Sequence, residues 1–303
     1  MSGSTLKNTK INHFFASCRP RQWTKNLLCF SAFFITPFSS VSNIYKLIFA
    51  TISFVLASSF IYIINDLIDK NLDKQHPTKK LRPIASGKLK IWQCLIFSFI
   101  LLTFSILISS LIDIKIFLLI ISYICLQLIY CFWAKNKSLL DIFFIASGFI
   151  IRACAGVLSI NSSPSPWFLT TAGCFALFLA IQKRKSELIR VKNIDEPNIS
   201  SRKVLRSYTK EFLDKIEMLS INSGFLSYML WASGPVLNGA KSSNMLITCP
   251  ILLIGIFRYL LICNKSKSGI IIGESPTKIL FTDKGIKLVL VSLVIVTTII
   301  IHK

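Results

Sequence analysis

The sequence predicts an all-α, polytopic membrane protein, and three observations predict it. Hydrophobic residues make up 53% of the 303 residues, and mean hydropathy is +0.63, far from a soluble domain. The apolar residues fall into runs long enough to cross hydrocarbon, which takes about 20 residues of helix. The 35 Lys and Arg, which carry a net charge of +22, are sorted by side rather than scattered.

Nine spans follow in order, at roughly 22–40, 45–66, 91–111, 116–134, 139–160, 166–183, 212–233, 244–262 and 285–301. The first is the least apolar, because it carries Lys25 and Pro37. It follows a polar, basic N-terminus with no apolar core of the signal-peptide kind. The second is almost wholly apolar from Leu47 to Ile64. The fifth opens on Asp141 and holds Arg152. The sixth follows Asn161-Ser162-Ser163-Pro164-Ser165-Pro166, which reads as a turn.

Four Lys (46, 115, 241 and 303) lie on one side, and Arg152 and Arg258 lie within spans. The remaining 29 basic residues fall on the N-terminus and the segments after the second, fourth, sixth and eighth spans. The positive-inside bias then places the N-terminus in the cytoplasm and the C-terminus outside, in a multi-pass inner-membrane protein. No internal repeat or low-complexity tract divides the chain, so residues 1–303 form one membrane domain. Two cytoplasmic segments, about 67–90 and 183–211, are long and polar enough to form caps.

Several function classes gain no support. The basic residues sit on loops at a membrane surface without a nucleic-acid-binding signature, so anionic headgroups are their ordinary partners. The nine cysteines form no CxxC and mostly lie in apolar runs, as reduced packing residues do. His13, His76 and His302 share no ligand spacing. GxSxG, Walker and GxGxxG arrangements do not occur.

The chemistry gathers where the second span ends. In Asn65-Asp66-Leu67-Ile68-Asp69-Lys70-Asn71-Leu72-Asp73, three carboxylates at i, i+3 and i+7 share one helical face. Hard oxygens so grouped suit Mg²⁺, which prefers carboxylates plus substrate phosphates. Lys79, Lys80 and Arg82 follow as cationic counterparts, arginine through a planar fork fitted to phosphate. Asp141 and Arg152 lie 11 residues apart, about three turns, and face the same way. They form either an ion pair or, since charge within a span is functional by default, a substrate site. Lys135 and Lys137 could reach a phosphate. Lys183, Arg184 and Glu187 close the sixth span, where Glu187 could hold a cation or join a metal. Lys25, preceded by Trp23 at headgroup level, could point into the bundle.

The pattern Asn65-Asp66-x-x-Asp69-x-x-x-Asp73, with Arg82-Pro83 and Gly87, resembles the first aspartate signature of the UbiA-type intramembrane prenyltransferases. That resemblance implies nine transmembrane helices around a central cavity open to the cytoplasmic side, with Mg²⁺ and diphosphate at its mouth. Typical members carry a second Asp-rich motif after the sixth span; here that place reads Lys183-Arg184-Lys185-Ser186-Glu187. The chain is more similar to the decaprenyl-phosphate phosphoribosyltransferase branch. The similarity runs through Arg19-Pro20-Arg21-Gln22-Trp23-Thr24-Lys25-Asn26, His76-Pro77-Thr78-Lys79, Leu140-Asp141-Ile142, Ser147 to Ala153, Lys183-Arg184-x-x-Glu187 and Gly273-Glu274-Ser275-Pro276.

The resemblance implies transfer of 5-phosphoribose from phosphoribosyl diphosphate to a polyprenyl phosphate, with release of diphosphate. Asn65, Asp66, Asp69 and Asp73 would hold the metal, and Asp66, Asp69, Asp73 and Lys183 would carry the chemistry. Lys25, Asn65, Lys79, Arg82, Tyr130, Lys137, Asp141, Arg152, Arg184 and Glu187 would line the substrate. Two alternatives remain. A prenyltransferase acting on an aromatic acceptor would need the second Asp-rich motif. A transporter would place charges at the midplane and show repeat symmetry. A homo-oligomer is compatible with all three.

Overall fold

The computed structural model describes residues 2–34, 41–193, 203–265, 279–280 and 282–302. All regular elements among them are helical. The helices are α1 (Ser2–Ser17), α2 (Val41–Ile68), α3 (Lys70–Gln75), α4 (Ile91–Ile112), α5 (Ile114–Phe132) and α6 (Leu140–Ser159). They continue with α7 (Pro166–Asn193), α8 (Lys210–Ala232), α9 (Thr248–Lys265) and α10 (Lys284–His302). Tightly wound 3₁₀ segments cover Pro20–Phe34, Lys79–Leu81, Ala134–Asn136, Lys203–Ser207 and Ser243–Ile247.

Local chemistry sets the ends. Asp113 closes α4 and caps α5, its side chain accepting the Lys115 N–H at 2.7 Å, so one residue makes the hairpin. Pro166 starts α7 at the position where a missing N–H loses nothing. Thr209 caps α8 through the Phe212 N–H at 3.1 Å. Gly87 turns the basic loop with φ +76°, open to glycine without strain.

Among the described residues, six segments are long and apolar enough to cross a bilayer: Asn43–Ile68, Ile91–Ile112, Ile114–Phe132, Leu140–Ser159, Ser243–Asn264 and Lys284–Ile301. The chain is a multi-pass membrane protein. The Pro20–Phe34 segment, α7 and α8 stand where the first, sixth and seventh spans were expected. α7 and α8 are long, but charges fill the end of one and the start of the other. Residues 35–40, which end the expected first span, lie outside the described residues, as do Gly273 to Pro276.

Burial sorts the helices into inside and rim. In α2, 61% of the apolar window is buried, against 17% in α4, α9 and α10, whose Phe99, Leu107, Phe257 and Leu288 face outward. The main core joins Cys29 and Ala32 to Leu47, Ala50, Phe54 and Ala57 of α2, Ile116, Ile120 and Tyr123 of α5, and Ala155 and Val157 of α6. Small residues let these backbones approach. At Gly156 a Cβ would collide with the Cys29 backbone, so glycine is required for α6 to meet the 3₁₀ segment. A separate cluster packs Ile84 and Leu89 of the basic loop against Cys18, Ile63 and Cys94, with Phe14, Trp23 and Leu67 around it. That cluster anchors the loop and α1 over the end of α2.

Candidate active site

The three aspartates do not continue one uninterrupted helix. α2 ends at Ile68, Asp69 interrupts it, and α3 resumes at Lys70. The Asp69 N–H still donates to Asn65 O (2.9 Å), and the Asp73 N–H to Asp69 O (2.8 Å), so the turns stay stacked. Asp66 and Asp73 are buried and share one cation. Arg82 Nη1 lies 3.1 Å from Asp66 Oδ1 and 2.6 Å from Asp73 Oδ2. Arg19, packed over the Tyr62 ring at 5.1 Å, adds a second ion pair to Asp66 Oδ1. Asp69 turns elsewhere, to Lys135 Nζ at 2.6 Å.

Three carboxylates thus meet three cations drawn from the N-terminal segment, the basic loop and the α5–α6 connection. Arg19 is the unexpected member. Of the two lysines expected to reach a phosphate, Lys135 joins the cluster and Lys137 is exposed. The bonds engage one oxygen of each carboxylate. Among the described residues no three His, Cys, Asp or Glu side chains converge into a ready-made metal cage. Mg²⁺ does not need one, since it binds through one or two carboxylates, substrate phosphates and water. The donor set fits Mg²⁺ in that mode, with Asn65 half-buried one residue before Asp66.

A second charged centre surrounds Arg184. The expected sixth span stops at 183, yet α7 runs on to Asn193, because Arg184 points inward and is fully buried. Its Nε lies 2.5 Å from Asp141 Oδ2, and Nη1 lies 2.5 Å from Glu187 Oε2. Asp141, also fully buried, accepts a bond from the Tyr208 hydroxyl at 2.6 Å. That hydroxyl accepts the Leu139 N–H at 2.7 Å, where Leu139 has φ +68°, a strained conformation for a branched residue. Burial and the bond to Asp141 push Tyr208 above the usual tyrosine range, so it remains a donor. Among the described residues, Nη2 of Arg184 has no hydrogen-bond partner.

The α5–α6 connection links the two centres. Lys135 on it reaches Asp69, and Leu139 and Asp141 reach Tyr208 and Arg184. Tyr130, expected to line the substrate, is half-buried near the end of α5. Nothing in the sequence marked Tyr208, which comes from a segment 67 residues beyond Asp141.

Arg152 does not pair with Asp141, although they share a helical face. Its Nε donates to Asn26 Oδ1 (2.7 Å), Nη1 to Gly148 O (2.8 Å) and Nη2 to Tyr123 Oη (2.7 Å). Its charge lies over the Tyr123 ring at 4.6 Å. Arg152 therefore fixes the N-terminal 3₁₀ segment to α5 and α6. Lys25, Lys79 and Lys183 are half-buried, with Lys25 adjacent to Asn26. Beside Lys183, Lys185 bridges Asp214 (2.5 Å) and Glu217 (2.8 Å) on α8.

The sequence profile of the UbiA prenyltransferase family matches residues 26–268. The chain belongs to that family. Within it, the chain is similar to the decaprenyl-phosphate phosphoribosyltransferase of Mycolicibacterium smegmatis, 36% identical over 227 residues, covering 73% of this chain and 70% of that protein. It is 33% identical over 219 residues to the enzyme of the same name from Mycobacterium tuberculosis, covering 71% and 72%. A UbiA homologue from Archaeoglobus fulgidus, solved with GPP and Mg²⁺, has the same fold. Its TM-score is 0.71 at 18% identity, over 96% of this chain and 100% of that one. Within that family, the chain carries its aspartates at the end of α2 and the cationic run Lys183-Arg184-Lys185 inside α7.

Proposed function

We propose that this protein transfers 5-phosphoribose from phosphoribosyl diphosphate to a polyprenyl phosphate, releasing diphosphate. The observation that carries the reading is the neutral assembly of Asp66, Asp69 and Asp73 with Arg19, Arg82 and Lys135. The similarity to two enzymes named for decaprenyl phosphate supports the lipid acceptor. Mg²⁺, when bound, would neutralise the diphosphate as its bond to the sugar breaks.

The chain's own residues then have defined tasks. Asp66 and Asp69, with Asn65 and Asp73 beside them, would hold the metal through their oxygens. Arg19, Arg82 and Lys135 exchange carboxylates for diphosphate oxygens, and Lys25, Lys79 and Lys183 add positive charge around the substrate. An oxygen of the lipid phosphate forms the bond to sugar C1. The bond from C1 to the diphosphate oxygen breaks, and diphosphate leaves with the electron pair. No general base is needed, because the attacking phosphate is already ionised. Catalysis is positioning and charge stabilisation.

The reading includes nine spans around a cavity open to the cytoplasm: the six apolar spans with Pro20–Phe34, α7 and α8. It also places the chain in the inner membrane, with the N-terminus and site cytoplasmic and the C-terminus outside. The test supplies purified protein with ribose-labelled phosphoribosyl diphosphate and polyprenyl phosphates. Label should enter the lipid phase. Transfer instead from a prenyl diphosphate to an aromatic acid would establish the other reaction, and the cationic run inside α7 speaks against it.

A further inference from the structure

Arg184 is a buried guanidinium held on two sides and unfinished on the third. Asp141 takes Nε, and Tyr208 steadies Asp141 from the other oxygen. Glu187 Oε2 accepts from Nη1, while Nη2 is buried with no hydrogen-bond partner among the described residues. Arg152, the other deeply buried guanidinium, has all three nitrogens bonded. The outer edge of a guanidinium presents two parallel donors, a geometry met by a phosphate and only half met here by Glu187. Leaving a charged donor buried and unsatisfied is unfavourable, so an anion able to bridge both tips has an advantage over the resident one.

The members of the cluster differ in burial. Asp141 and Arg184 are wholly enclosed, but the Glu187 side chain is 24% exposed, so the route to Nη1 and Nη2 passes through it. We propose that the Glu187 carboxylate is a displaceable stand-in for a phosphate monoester, which binds by taking its place across Nη1 and Nη2 of Arg184. The substrate's anchoring phosphate then sits beside Arg184 of α7, joined to the diphosphate site through the α5–α6 connection. This deepens the reading above, from which the ligand's identity is taken: the ribose 5-phosphate group and the lipid phosphate share the required chemistry. Glu187 acts as a competitor, and Tyr208 and Asp141 as positioning residues.

The proposal is opposite in sign to a metal-ligand role for Glu187. Calorimetric binding of ribose 5-phosphate and, separately, farnesyl phosphate to the purified protein in Mg²⁺-containing buffer distinguishes the two. Glu187→Gln should tighten one of them by on the order of tenfold, the scale of a hydrogen bond to a charged group. Arg184→Lys, keeping charge but losing the fork, should weaken the same ligand. Whichever probe responds identifies the phosphate. Unchanged or weaker binding of both probes to a folded Glu187→Gln protein overturns the proposal. These probes require no turnover, so failure of ribose transfer in the wild type would sink the functional reading and leave this result standing.

Discussion

At the residue scale, the least expected feature is Arg184, a cation of α7 with no solvent exposure. Its stability depends on Asp141, equally buried and 2.5 Å away. Removing one member of such a pair leaves an uncompensated charge, which destabilises by about 3–5 kcal/mol. Asp141→Ala should therefore lower the thermal midpoint in detergent sharply, while the exposed Lys137→Ala leaves it unchanged; equal midpoints would show that the pair does not hold the fold. The sequence had Asp141 and Arg184 as substrate-side residues, and neither their pairing nor Tyr208 could be read from it. Helical periodicity places residues on a face, but it cannot choose partners 43 and 67 positions away. The same reason explains why Lys135 and not Lys137 meets Asp69, and why Arg152 meets Asn26.

Elements were far more legible. The boundaries of α4, α5, α6, α8 and α10 fall within two residues of the expected spans, because apolar runs in a membrane chain end where charge or a turn begins. α7 is the instructive departure. A run of Lys183, Arg184 and Lys185 ends an apolar pattern, yet these are good helix formers, and inward pairing of Arg184 lets the helix continue. The break at Asp69 was hidden for a related reason: the i, i+3, i+7 spacing suits one helix, and only the pull of Lys135 separates Asp69 from its neighbours. The contact of α6 with the N-terminal 3₁₀ segment rests on Gly156. Gly156→Ala forces the two backbones apart, and overpacking of this kind destabilises by about 1–3 kcal/mol. Denaturation in detergent should show it, along with weaker activity, since the displaced segment carries Lys25 and Asn26 and follows Arg19. Wild-type stability and activity would mean that the close approach is unimportant.

For the whole molecule, the distribution of charge and the position of the acidic end of α2 make one statement about sidedness. On the proposed nine-span topology, Lys46, Lys115 and Lys241 would fall on the sparsely charged side, and the Asp66 cluster on the other. In inside-out vesicles, with native cysteines replaced, Asn71→Cys should react with an impermeant maleimide and Ser163→Cys should not. The reverse pattern would put the site on the wrong side for a cytoplasmic phosphorylated sugar donor.

The central claim is that the carboxylates at the end of α2 hold a metal-bound diphosphate. Calorimetry of phosphoribosyl diphosphate binding to wild type and Asp69→Ala, with and without Mg²⁺, tests it most directly when paired with a transfer assay on the same samples. Wild-type binding should depend on Mg²⁺. Asp69→Ala should lose that dependence and turn over on the order of 10²–10³ more slowly, as when one electrostatic stabiliser is removed. Metal-dependent binding and near-normal transfer by Asp69→Ala would contradict the account.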